Sequence, residues 1–190
     1  MSHNKADPTG LTFIKAHAFR FATLPGMCFA DREGAAGADL SNPVEAAALL
    51  RQARVLARAD AASPQLMAGK QLALLSPDCG DAGALEFIQA AQALGAHVSF
   101  VRAGLDEASS ARQVDATARV LGRLYDAVEC QHLPAELVRR IARGAGIPVF
   151  AGLATPGHPT ATLVEALEVD ATRQVKRRSI LQAALLVSLG

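Results

Sequence analysis

The chain has 190 residues, the size of one ordinary domain, and 51% of them are hydrophobic, enough to fill a core. Its formal net charge is +1, which excludes partners held mainly by charge, so neither nucleic acid nor a membrane surface is expected. The absence of a run near ~18 apolar residues, and of a basic-then-apolar leader, predicts a cytoplasmic protein with no membrane span.

Residues 1–39 read as an N-terminal arm of open structure, with Phe13, Ile14, Phe19, Phe21 and Leu24 ahead of Pro25-Gly26 and a linker at Gly34–Gly37. His17 is isolated there. Residues 40–190 read as a single α/β domain. Ser41-Asn42-Pro43-Val44-Glu45 starts a helix: Asn42 caps, Pro43 suits the first helical position, and Glu45 reaches back. Leu49, Ala53 and Leu56 share one face, and Ser63-Pro64 marks the stop.

Leu72–Leu75 is a strand, the helical pattern to Gly95 puts Ala84, Phe87 or Ile88, Ala91 and Leu94 on one face, and His97–Val101 is the next strand. This is a βαβ unit. Its loop, Ser76–Gly83, lies where such folds bind anions. Yet the loop has no Lys, Arg or Thr, and it carries Asp78 and Asp81. Cys79 sits in it with no His or Lys adjacent in sequence, and reads as a small filler. Cys28, Cys79 and Cys130 are scattered and lack a CxxC spacing, so neither a disulfide framework nor a metal site is expected.

Ala103–Ser110 is a polar loop. Asp115–Tyr125 is a helix with Val120, Leu121 and Leu124 inward, and Ala127–Cys130 is a third strand. Pro134–Gly144 is a helix closed by Gly144 or Gly146, and Ile147–Phe150 is a fourth strand. Gly157-His158-Pro159 leads into a helix over Thr160–Val169. The closing helix, Thr172–Leu189, carries Ile180, Ala184 and Val187 on one stripe with Leu181 and Leu185 beside it; the basic cluster Arg173–Arg178 is too short to imply nucleic acid. Alternating strands and helices predict an α/β fold with a four-stranded parallel sheet flanked by helices.

Four stretches carry a family resemblance: Ala68–Leu75, Thr117–Asp126, Ile147–Leu153 with His158-Pro159-Thr160, and the end of the chain from Arg177. They resemble the ornithine/aspartate carbamoyltransferase family, ornithine carbamoyltransferase more closely, over its carbamoyl-phosphate domain and closing helix. The resemblance implies strand order 2-1-3-4, no cofactor, and a homo-oligomer, usually a trimer with sites between subunits. It leaves only a few residues near Glu168–Arg173 where the family inserts an amino-acid-binding domain, so that domain is expected to be absent.

The resemblance also locates the carbamoyl-phosphate positions. The family's Ser-Thr-Arg-Thr-Arg falls on Gly80, Asp81, Ala82, Gly83 and Ala84, so both arginines and all three hydroxyls are gone. The arginine after the third strand is Gln131, beside His132. The glutamine of His-Pro-x-Gln is Ala161, and the asparagine before the glycine is Ala151. His158 stands as in the enzymes, where it donates to the carbamoyl oxygen, and is the one catalytic candidate. A negative Asp81 repels a dianion at a site left only with backbone amides. The leading expectation is a catalytically inactive homologue kept for assembly or binding, alone or with a full-length carbamoyltransferase. Two alternatives stand beside it. Asp78, Asp81, Glu86, His132 and His158 could converge on another small ligand or a cation, or another chain could supply the missing site parts.

Overall fold

The computed structural model describes residues 40–59, 65–102 and 104–189; the N-terminal arm with His17 and Cys28, and the Ser63-Pro64 stop, lie outside the described residues. Helix α1 spans Pro43–Ala59. Asn42 Oδ1 accepts from Val44 N at 3.0 Å, and its amide donates to Glu45 Oε1 at 3.3 Å. Strand β1 (Gln71–Leu75), helix α2 (Ala82–Ala93) and strand β2 (His97–Val101) form the βαβ unit. Helix α3 (Ala111–Leu124), strand β3 (Ala127–Cys130), helix α4 (Ala135–Ala145) and strand β4 (Val149–Ala151) follow. A 3-10 turn (Pro159–Ala161), the short helix α5 (Leu163–Ala166) and the closing helix α6 (Arg173–Leu189) complete the described chain.

The four strands are parallel, in the order β2-β1-β3-β4, which is the order the resemblance implies. Side chains alternate between the two faces of a strand, and each face has its own core. Leu72, Leu74, Ala127 and Phe150 face α1, α2 and α6. Ala73, Leu75, Val128 and Val149 face α3 and α4. Among the described residues, no helix is long and apolar enough to cross a membrane.

Four expectations need correction. Helix α3 starts at Ala111, where Ser110 Oγ accepts from Gln113 N at 3.3 Å, rather than at Asp115. Its inward residues are Val114, Ala118 and Leu121, while Val120 and Leu124 are 53% and 62% exposed. The reason is α4: Gly122 and Ala118 mark the side where the two helices meet, and that turns Val120 and Leu124 outward. Strand β4 begins only after Pro148, which has no N–H to give to a ladder. The helix expected over Thr160–Val169 is replaced by the 3-10 turn and α5, and it stops at Ala166 because Leu167 leaves helical geometry (ψ 96°) and is fully buried.

Candidate functional site

The candidate residues lie at and near the carboxyl ends of the strands. After β1, the loop turns on its own side chains. Ser76 Oγ donates to the Asp78 carbonyl at 2.9 Å, and Asp78 Oδ1 accepts from Gly80 N at 2.8 Å. Asp81 caps α2, accepting from Gly83 N at 2.9 Å. Two amides that could face an anion are therefore bonded to carboxylates of the same loop. Asp81 Oδ2 also lies 3.4 Å from His132 Nε2, and this contact leads the causes that hold the Asp81 carboxyl below its ordinary range. His132 adopts φ 55°, a left-handed backbone that non-glycine residues rarely take.

The start of α2 is crowded. A Cβ at Gly83 would come within 3.2 Å of the Ala154 carbonyl oxygen. Ala84 is fully buried in the core, whereas Ala82 and Gly80 are exposed. Of the two alanines standing where the resemblance expects arginines, only Ala82 has open space beside it.

Past β3, Gln131 is fully buried, and its backbone N–H donates to Leu75 O at 2.8 Å. Its Nε2 donates to Oε1 of Glu129 at 3.0 Å. Glu129 is fully buried too, and burial pushes its carboxyl up to about 8 against the pull of Gln131, the Leu153 and Ala154 amides and Arg177. Sequence reasoning passed over Glu129. The signal was there: an acid inside a four-residue strand that is otherwise apolar.

His158 opens the 3-10 turn. Its Nδ1 accepts from Thr160 N at 3.2 Å and lies 3.0 Å from Thr160 Oγ1. Burial, then the nearby Arg177, lowers its pKa to about 4, so the ring is neutral at pH 7. With Nδ1 accepting, the ring proton sits on Nε2. Thr160 Oγ1 in turn donates to Leu153 O at 2.8 Å and receives Arg177 Nη1 at 3.0 Å. Arg177 Nε donates to Glu86 Oε2 at 3.0 Å, and Nη2 donates to Thr155 O at 3.3 Å. By sequence Arg177 belongs to the closing helix and its basic cluster; its buried side chain makes it the centre of this network.

The structure thus sorts the acidic and histidine candidates into separate groups. Asp81 meets His132, Glu86 and His158 are joined through Arg177 and Thr160, and Asp78 folds onto its own loop. Among the described residues, no group of three or more His, Cys, Asp or Glu could hold a metal ion. A cavity of about 590 Å³ opens between α2, the 3-10 turn and α6, with Glu86, Gln89, Ala161, Arg173, Arg177 and Arg178 in its wall. A second, of about 420 Å³, lies beside His132, Ala151, Gly152 and Thr155.

The family model for aspartate/ornithine carbamoyltransferase, carbamoyl-P binding domain, matches residues 37–171. The chain belongs to this family. Ornithine carbamoyltransferase of Actinobacillus pleuropneumoniae serotype 5b is 36% identical over 121 residues, covering 63% of this chain and 36% of that protein. Ornithine carbamoyltransferase of Neisseria meningitidis is 41% identical over 81 residues, 43% of this chain and 31% of that protein. Among solved structures, ornithine carbamoyltransferase from Pyrococcus furiosus superposes with a TM-score of 0.58 at 25% identity, covering 70% of this chain and 44% of that one. The Thermus thermophilus enzyme gives 0.55 at 26% identity, covering 68% and 45%. The carbamoyltransferase-family chain described here therefore spans about a third of the length of the curated relatives it matches. Between its α5 and α6 lie only residues 167–172.

Proposed function

We propose that this chain is a carbamoyltransferase-family domain that does not transfer carbamoyl groups by itself and is kept as an assembly or binding domain. One observation carries the reading. The Asp81 carboxylate occupies the start of α2, bonded to Gly83 N and paired with His132, where the family resemblance places a phosphate. A dianion would have to displace that carboxylate or sit against it.

The other family positions supply little in return. Gly80, Ala82, Gly83, Ala84 and Ala161 have no side-chain donor. Gln131 is buried with its amide committed to Glu129. His158 offers one neutral Nε2–H. Acyl transfer depends on several donors aimed at the developing oxyanion, and loss of one typically costs ~10²–10³ in rate. The domain's role is then to associate, as a homotrimer or as a partner of a full-length carbamoyltransferase.

A second reading rests on the larger cavity. Its wall holds Arg173, Arg177 and Arg178 against Glu86, so a reused pocket would take a small polyanion in preference to a cation or an amine. One calorimetric series on size-checked protein tests both readings. Carbamoyl phosphate should give no saturable heat, and no citrulline or carbamoyl-aspartate should form above background. Binding tighter than ~1 mM, or product formation, would overturn the first reading. Pyrophosphate should bind if the cavity is in use, and putrescine should not.

A further inference from the structure

Glu129 and Gln131 are two residues apart at the end of β3, and neither side chain has any exposed surface. The Gln131 Nε2–H to Glu129 Oε1 bond of 3.0 Å satisfies one atom of each. It leaves Glu129 Oε2 and Gln131 Oε1, both buried, with no partner. Two oxygens cannot satisfy each other unless one carries a hydrogen. The amide oxygen cannot carry one, and a carboxyl can. We propose that Glu129 is a neutral carboxylic acid whose Oε2–H is donated to Gln131 Oε1, closing a ring of two hydrogen bonds. The folded domain thereby holds a proton that the unfolded chain gives up at neutral pH. A single proton accounts for both orphaned oxygens.

The surroundings agree. In register beside Glu129 stand Leu74 of β1 and Phe150 of β4, both apolar. Beyond β4, the Leu153 and Ala154 amides, and Arg177 from α6, favour the ionised carboxyl, and burial outweighs them. Arg177 is already committed to Glu86 of α2, to Thr160 and to the Thr155 carbonyl. His158, near Arg177, is neutral at pH 7. The next residue on the strand, Cys130, is a buried thiol pushed up by burial and by Glu129. The charge of Arg177 still favours an ionised Glu129, but its Nε, Nη1 and Nη2 donate to other partners, and burial outweighs its pull. An arginine at position 131, which the family resemblance expects, would hold Glu129 ionised.

The consequence is a pH dependence of definite sign. The folded value of Glu129, about 8, lies above its ordinary 4.5. The stability it contributes is full below 4.5 and is lost as pH rises to about 8. His158 acts oppositely, losing stability as pH falls from 6.5 to about 4. The two overlap most in acid, so the window in which Glu129 dominates runs from 6.5 to about 8. Across it Glu129 alone should raise the unfolding equilibrium constant about 15-fold, because the unfolded carboxyl is ionised throughout and the folded one is not; His158, half-charged in the unfolded chain at 6.5, opposes this about twofold, so the native protein should show a rise of about 8-fold.

Urea unfolding of the full chain at the two ends of that window measures the rise. Glu129→Gln keeps the ring, with an amide N–H in place of the O–H, and should abolish the rise. Infrared spectra in heavy water at the acid end of the window should show a protonated carboxyl band in the native protein that disappears in Glu129→Gln and in Gln131→Arg. A flat native curve, an unchanged slope in Glu129→Gln, or no protonated carboxyl band would each overturn the proposal. If neither variant folds, the native band and its loss as pH passes about 8 decide it alone.

Discussion

Ala82 and Ala84 are separated by one residue, and the fold treats them oppositely. Ala82 is exposed on the first turn of α2, so Ala82→Arg should change stability by no more than ~0.5 kcal/mol. Ala84 has no exposed surface and belongs to the core with Phe87 and Leu153. Ala84→Arg must bury an unpaired guanidinium in a packed site, and should cost about 3 kcal/mol or more. Chemical denaturation of the two variants checks the contrast. Equal tolerance would mean that the start of α2 can move away from the core. It would also mean that a family-like loop could be rebuilt by substitution alone. The expected asymmetry says otherwise: the loop where the resemblance places an anion is filled as well as bare of basic side chains. The lack of basic side chains was legible in the sequence, because Asp78 and Asp81 stand in a loop without Lys, Arg or Thr. Its filling was not, because the nearness of Gly83 to the Ala154 carbonyl joins segments some seventy residues apart.

At the scale of elements, α3 and α4 cross at Gly122, where an added Cβ would collide with the Ala145 carbonyl. In an isolated helix Gly→Ala is favourable by about 1 kcal/mol. Here the methyl must push the helices apart, and overpacking of this kind costs ~1–3 kcal/mol or more. Gly122→Ala should therefore destabilise despite its better helix propensity, as a lowered urea midpoint would show; a raised midpoint would mean that the crossing is loose. The same crossing explains which parts of the fold could be read in advance. Strands β1, β2 and β3 were legible to within a residue, since short apolar runs bounded by turn residues fix them. The inward face of α3 was not, because hydropathy points to Val120 and Leu124 while the contact with α4 is made by small residues. The Arg177 network was hidden for a similar reason. Its partner Glu86 lies 91 residues away, and a basic residue near the start of a helix ordinarily reads as solvated.

At the scale of the whole molecule, the family match and the folding unit do not coincide. The match ends at residue 171, ahead of α6. Yet Ile180, Leu181 and Leu185 of α6 have no exposed surface and share a core with Leu49 and Leu56 of α1 and Leu94 beyond α2. Burying a Leu or Ile side chain is worth ~1.5–3 kcal/mol. These three alone then contribute roughly 5–9 kcal/mol, against a total stability of ~5–15 kcal/mol for an ordinary domain. Arg177 adds the donors that fix Glu86 and Thr160. A chain ending at Ala171 should accordingly lose its cooperative unfolding transition, with a sloping urea curve and poorly dispersed amide resonances. Adding a peptide of residues 172–190 should restore the transition, because α6 supplies the apolar face that packs on α1 and α2. A sharp transition in the shortened chain would make α6 an appendage. It would also shift the burden of stability to the sheet and the α3–α4 layer.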